Sequence, residues 1–150
     1  MFCLKQRNLT VCEAAAYISK ELLASGVVIQ FYEAFSTTSL YMKFDCGLAN
    51  SLRIGDHRGK KHLNYMFMVN VNHRGKRRVL KNKFTQYIYG SSKKELNKLI
   101  KHILSHRESK VFSYFGEDLY REEMKNQYKK NKCQKGFWSQ STFIKQGLYL

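Results

Sequence analysis

The spacing of apolar residues in the first third of the chain changes from a helical to an alternating pattern. Thr10-Val11-Cys12-Glu13 has the form of a capping box, in which the Thr and Glu side chains accept hydrogen bonds from each other's backbone amides. Apolar residues then recur at near-helical spacing, at Ala14, Ala15, Ile18 and Leu22. Gly26 stands where a residue in the left-handed conformation would end the helix. This pattern predicts a helix over 11–25.

From Val27 to Tyr89 the period is two, which is typical of strands with one buried face. The alternation predicts five antiparallel strands, over 27–32, 40–45, 52–54, 63–72 and 84–89. Ser36-Thr37-Thr38-Ser39 would be the first turn. A basic loop from His57 to His62 would lead into the fourth strand, and a second basic loop would follow it.

Helical spacing returns in the last third of the chain. Ser92-Lys93-Lys94-Glu95 repeats the capping-box pattern, and a regular apolar stripe follows it (Leu96, Leu99, Ile100, Ile103 and Leu104). We predict helices over 93–107 and 117–131. The aromatic tail, 137–150, is too apolar to stay in solvent, so we expect it to pack on the body or to dock on a partner. Together these elements predict a single α+β domain over 1–150, with an N-terminal helix, an antiparallel meander of about five strands, and C-terminal helices on one face.

Charge is distributed unevenly along the chain. The formal net charge is +16, and residues 1–50 contribute nothing to it, whereas 51–90 contribute +9 and 91–150 contribute +7. Self-repulsion of this size opposes folding, so an anionic partner that relieves it is the natural inference. We expect that partner to be nucleic acid, with RNA favoured. Mimicry of nucleic acid requires an acidic surface and is excluded.

Other classes of protein find little support in the residues. The four cysteines are widely spaced and form no zinc-like pattern, so we expect free thiols and no metal. The first residues become charged before a signal peptide could form, and no apolar run approaches the ~20 residues of a membrane span. We therefore expect a cytoplasmic protein without a cofactor, membrane contact or small-molecule substrate.

A repeated tetrapeptide lies inside the basic segment. His57-Arg58-Gly59-Lys60 recurs as His73-Arg74-Gly75-Lys76, and more bases follow each copy. Arginine offers a planar fork that fits phosphate oxygens, and neighbouring strands rich in Tyr and Phe offer rings on which bases stack. Because about ten residues of strand separate the two loops, we expect them at opposite ends of the sheet, bracketing a long ligand. The predicted nucleic-acid-binding residues are Arg53, His57, Arg58, Lys60, Lys61, His62, His73, Arg74, Lys76, Arg77, Arg78, Lys81, Lys83, Lys94, Lys98 and Lys101.

Catalysis is the weaker interpretation of the same residues. Metal-independent RNA cleavage needs one imidazole as base, another as acid, and a cation beside the developing charge. Only His57 and His62 are close enough along the chain to cooperate. A metal nuclease would need clustered carboxylates, and Asp56 is the one acid in 51–90. We expect a protein that is not an enzyme, and a small ribonuclease remains an alternative.

Two segments resemble known proteins. Tyr41-Met42-Lys43-Phe44-Asp45 and Ser51-Leu52-Arg53-Ile54-Gly55-Asp56-His57-Arg58, followed by an aromatic strand and an amphipathic helix, are similar to a group of small basic phage and mobile-element proteins that includes anti-CRISPR inhibitors of Cas nucleases. The similarity covers about residues 38–106. It implies a phage-encoded inhibitor that binds guide RNA or an RNA-loaded Cas effector in the host bacterial cell, with Asp56 and His57 in a structural turn. A general RNA- or DNA-binding regulatory module is the alternative.

Overall fold

The computed structural model describes residues 7–33, 39–48, 51–57, 60–73, 76–108, 116–133 and 142–144. Within these ranges it describes the side chains of 7–32, 39–48, 51–56, 61–65, 87–108 and 116–130. The elements, in chain order, are α1 (Val11–Ala24), β1 (Ile29–Glu33), β2 (Ser39–Phe44), a 3-10 turn (Asp45–Gly47), β3 (Ser51–His57), β4 (Lys60–His73), β5 (Lys76–Ile88), α2 (Lys94–His106), α3 (Glu117–Cys133) and β6 (Thr142–Ile144).

The predicted α+β architecture is confirmed. The sheet is antiparallel with strand order β5-β4-β3-β2-β1-β6, so the five predicted strands form a meander. A short sixth strand from the aromatic tail pairs antiparallel with β1, Ile29 opposite Ile144. The rest of 137–150 and the predicted turn at 36–38 lie outside the described residues.

The main core lies between the sheet and the first two helices. Side chains from α1 and α2 pack on alternate residues of the strands, including Phe44, Leu52, Ile54, Leu63 and Tyr65, which are 6% exposed or less. We call this side of the sheet the helix face. The intervening residues of each strand belong to the opposite side, which we call the distal face.

The two predicted capping boxes have different outcomes. At Thr10 the box is present: Thr10 Oγ1 accepts from the Glu13 amide at 3.1 Å, and Glu13 Oε1 accepts from the Thr10 amide at 3.2 Å. Gly26 follows α1 with φ +80°, as expected. The capping box predicted at Ser92 is wrong, because α2 begins one residue later than a cap at Ser92 requires. Lys93 is the N-cap, and the Ser92 hydroxyl accepts from the Lys94 amide instead.

A buried charged junction joins the ends of three elements. The Asp45 carboxylate is fully buried and accepts from the Val28 amide at 2.9 Å, from Arg107 Nε at 2.6 Å and from the Tyr120 hydroxyl. Arg107 also donates to the carbonyls of Ser25 and Gly26 at the end of α1. Asp45 thereby ties α1, α2 and α3 to the start of the sheet.

The two cysteines whose side chains the structure describes are free thiols. Cys12 is exposed on α1, and Cys46 is buried beside Asp45. Burial, reinforced by the neighbouring Asp45 charge, raises the pKa of the Cys46 thiol to about 12. Cys46 therefore acts as a small core residue.

Candidate nucleic-acid interface

The strands that carry the basic residues are longer than the sequence predicted. β3 continues to His57 and β4 begins at Lys60, so Lys61 and His62 lie in a strand rather than in a loop. Asp56 and His57 likewise end a strand, and the structural turn expected for them is wrong. β5 begins at Lys76, which places Lys76, Arg77, Arg78, Lys81 and Lys83 in a strand as well. Antiparallel pairing with β4 overrides the weak strand propensity of this lysine-rich segment.

The repeated tetrapeptide marks two tight hairpins. In the first copy His57 pairs with Lys60, and in the second His73 pairs with Lys76. Two residues separate the strands in each case, a loop length typical of hairpins that have Gly in the connection. Arg58 and Arg74 occupy these connections, outside the described residues. Because β4 is 14 residues long, the two hairpin ends are roughly 43 Å apart, at opposite ends of the strand as expected.

Beyond β3, the hairpin of β4 and β5 continues as a two-stranded arm. The last pair between β3 and β4 is Ser51 with Met66, and among the described strands the following residues of β4 pair with β5 alone. We define the arm as 67–73 and 76–83; it is about 23 Å long. The register shifts between Phe67 and Val69, which indicates a bulge.

The arm is rich in bases and lacks acids. Its described strands hold Lys76, Arg77, Arg78, Lys81 and Lys83, with His73 at the tip. From His57 to Lys94 the sequence contains eleven lysines and arginines and no aspartate or glutamate. No carboxylate within this segment can therefore neutralise the arm.

A second group of predicted residues lies on the distal face. By register, Arg53, His57, Lys60 and His62 occupy this face of β3 and β4. The Arg53 guanidinium is exposed and lies 5.6 Å from the centre of the Tyr41 ring on β2. One Arg53 nitrogen is also 3.5 Å from Ser39 Oγ.

Lys61 differs from its neighbours because its side chain points to the helix face. Its ammonium forms an ion pair with Asp56 at 3.0 Å and lies 5.8 Å from the Tyr89 ring, and its side chain is only 12% exposed. Burial, together with the Asp56 charge, raises the pKa of Tyr89 to about 12. The charge of Lys61 is thus largely compensated inside the protein.

The third group lies on the other side of the molecule. Lys94, Lys98 and Lys101 are exposed on α2, whose apolar stripe packs on the helix face. Lys98 forms an exposed ion pair with Glu95 at 3.1 Å. The predicted residues are therefore divided among the arm, the distal face and α2, and the sheet separates α2 from the distal face.

The register brings His57 and His62 onto one face. His57 pairs with Lys60, and His62 stands two residues further along β4, so the two histidines occupy diagonal positions. Such positions are about 7–8 Å apart. Among the described residues, no group of three or more His, Cys, Asp or Glu side chains is arranged to hold a metal ion.

Two distal-face residues were missed by the sequence prediction. Tyr32 pairs with Tyr41, and Tyr41 pairs with Arg53, which forms a row across three strands. The alternating pattern of the strands already assigned both tyrosines to the side of the sheet opposite the buried positions. Their proximity to Arg53 depends on strand register, which the sequence did not provide.

Comparison of the chain with protein-family models, curated proteins and solved structures found no match in any of the three. Within the described part of the chain, no helix combines the length and the apolar character needed to cross a membrane.

Proposed function

We propose that this protein binds RNA through the basic hairpin of β4 and β5 and catalyses no reaction on it. The observation that carries the proposal is the arm, in which five bases occupy the described part of β5 and no acid occurs from His57 to Lys94. Lysine and arginine on a two-stranded ribbon follow a phosphate backbone, and the release of counterions favours their binding.

The test is a salt series with a fluorescently labelled 12-nucleotide RNA, read by anisotropy. A Lys81→Gln/Lys83→Gln variant should bind more weakly, and the slope of log affinity against log salt should become shallower by about 0.7 for each phosphate that the variant no longer neutralises. The matched control is Lys129→Gln/Lys130→Gln, which removes the same charge from exposed positions of α3. Equal slopes for all three proteins would contradict the proposal.

The α2 lysines are tested in the same assay. If the arm is the principal site, Lys94→Gln/Lys98→Gln/Lys101→Gln should behave like the α3 control, because α2 packs on the helix face. A loss of affinity as large as that of the arm variant would extend the interface to α2, as the sequence predicted.

The similarity over residues 38–106 suggests which RNA is bound. We propose that the target is the guide RNA of a CRISPR effector, alone or loaded in the Cas protein, and that binding inhibits the effector. A pull-down from the bacterial host, with and without ribonuclease treatment, separates the possibilities. An effector or its guide RNA in the bound fraction would support inhibition, whereas a broad range of cellular RNAs would indicate a general regulatory module.

The diagonal histidines make the ribonuclease alternative worth a direct test. Labelled RNA incubated with the wild type or with His57→Ala/His62→Ala should remain intact on a denaturing gel. Cleavage that the double variant abolishes would replace the binding proposal by an enzymatic one.

A further inference from the structure

The distal face presents an aromatic and cationic row beside the arm. Tyr32, Tyr41 and Arg53 are register neighbours on three adjacent strands, and the Arg53 guanidinium lies over the Tyr41 ring at 5.6 Å. Both tyrosines are partly exposed and Arg53 is exposed. A row that combines partly exposed rings with an exposed planar guanidinium is suited to flat, π-rich ligands.

His62 continues the row toward β5. It pairs with Gly55, and a methyl group built at Gly55 would lie 3.6 Å from His62 Cδ2, so the imidazole lies against a strand position that has no side chain. His62 is two strands and two residues from Tyr41, or about 12 Å across the sheet. Its neighbour on β5 is Ile88, a large apolar side chain that is 68% exposed.

Charge on this face favours an anion. Every acid of the described strands falls, by register, on the helix face: Glu33 pairs with Leu40, and Asp56 pairs with Lys61. The distal positions of β3 and β4 include Arg53, His57, Lys60 and His62. A ligand on the distal face thus meets aromatic rings and positive charge, with no carboxylate among these strand positions.

We propose that the distal face binds unpaired bases of RNA, with Tyr41 and Arg53 as the principal stacking site and Tyr32 and His62 beside it. This inference rests on the proposed RNA binding and specifies its substrate as single-stranded RNA. The arm holds the phosphates, whereas the distal face contacts the bases. In double-stranded RNA the bases are stacked on one another and cannot reach such a face.

The experiment compares two probes of equal length and charge: a 12-nucleotide oligo(U) and an abasic 12-mer. Tyr41→Leu removes the ring but keeps apolar bulk on the strand. It should weaken oligo(U) binding by roughly five- to 150-fold, the range observed when a stacking aromatic is removed, without changing the salt slope. Its affinity for the abasic probe should equal that of the wild type, because only phosphate contacts remain there.

Tyr17→Leu is the matched control. Tyr17 on α1 also has a cation over its ring, Lys93 at 4.7 Å, but it packs against the helix-face core. This variant should bind both probes like the wild type. Arg53→Gln provides a second test at an exposed position, where folding is less affected, and it should also weaken oligo(U) binding more than abasic binding.

The outcomes separate the two proposals. If the wild type binds oligo(U) and the abasic probe equally, or if Tyr41→Leu and Arg53→Gln bind oligo(U) like the wild type, base stacking on the distal face is refuted while RNA binding stands. If the wild type binds neither probe at low salt, the proposed function fails and this inference fails with it. Tighter binding of a 12-base-pair RNA duplex than of oligo(U) would also refute the proposal that the distal face binds unpaired bases.

Discussion

Replacing Asp45 by asparagine removes one charge from the buried junction and keeps almost the same shape. Asp45 has φ +49°, a left-handed conformation that asparagine tolerates well, so the variant adds little backbone strain. Its effect on the free energy of unfolding should therefore report the electrostatics of the junction.

The magnitude follows from what Arg107 would lose. Burial has the largest single effect and would by itself lower the pKa of Arg107, but the Asp45 charge, Tyr120 and the hydrogen bonds to both together raise it. Burial, followed by the Asp45 charge, holds the pKa of the Tyr120 hydroxyl well above its usual value, so the tyrosine is a neutral donor. Without the carboxylate, the buried guanidinium loses its charged partner and keeps its bonds to the carbonyls of Ser25 and Gly26. The asparagine amide cannot accept every bond that the carboxylate accepts, because one of its two terminal atoms is a donor. Breaking a buried ion pair in this way costs about 3–5 kcal/mol.

The assay is urea unfolding followed by circular dichroism, with a thermal melt beside it. In a chain of this size a loss of 3–5 kcal/mol lowers Tm by roughly 6–20 °C. The control is Glu117→Gln, which breaks the exposed pair with Arg121 and should cost about 0.5 kcal/mol or less. An Asp45→Asn/Arg107→Met double variant should be less destabilised than the sum of its single variants. If Asp45→Asn costs no more than Glu117→Gln, the junction is not the stabilising ion pair described above.

Three smaller changes test other parts of the fold. Burial lowers the pKa of Lys43 to about 8, so the folded state disfavours the charged form of this lysine. Lys43→Met should therefore be more stable than the wild type at pH 7. The difference in stability should shrink between pH 8 and 10.5, because in that range the unfolded wild type still binds the proton that its folded state has released. A constant difference across that range in urea titrations would contradict this. Thr10→Ala removes the capping box of α1 and should cost about 1 kcal/mol, whereas Ser92→Ala, whose hydroxyl does not cap α2, should cost less. Tyr65→Phe removes a buried hydrogen bond to His106 Nδ1 and should cost about 1 kcal/mol in the same assay, compared with Tyr87→Phe at the half-buried His102.

Local patterns were sufficient to predict the helices and the antiparallel meander of five strands, but not the sixth strand beside β1. The apolar stripe of α2 is buried residue for residue at Leu96, Leu99, Ile100 and Ile103, because helical spacing and burial have the same period. The alternation at Leu63 and Tyr65 likewise predicted the buried face of β4. The ends of the strands were less accessible, since Lys76 to Lys83 becomes a strand through pairing with β4 and not through its own composition.

The candidate site was predicted as a composition and not as an arrangement. Clustering of bases identified the basic segment that contains the arm, although as a loop. The sequence could not show that Lys61 turns inward to Asp56 or that α2 lies across the sheet from Arg53. Both facts follow from strand register and from the helix-face packing, which involve residues distant in the chain. Asp45 was equally inaccessible, because its partner Arg107 is 62 residues away.

Under the proposed RNA binding, the division of the basic residues among three surfaces limits the path that the RNA strand can take. The arm and the distal face meet on β4 and β5, since the distal pair Met66–Phe84 immediately precedes the arm. The arm and the distal face are therefore contiguous along the same two strands, and we expect a short strand of RNA to reach both. Reaching the lysines of α2 would require the strand to pass around an edge of the sheet, which places more nucleotides in the complex. Measuring affinity against RNA length distinguishes these paths: a plateau at short length favours the arm with the distal face, and a second rise at greater length indicates that α2 takes part.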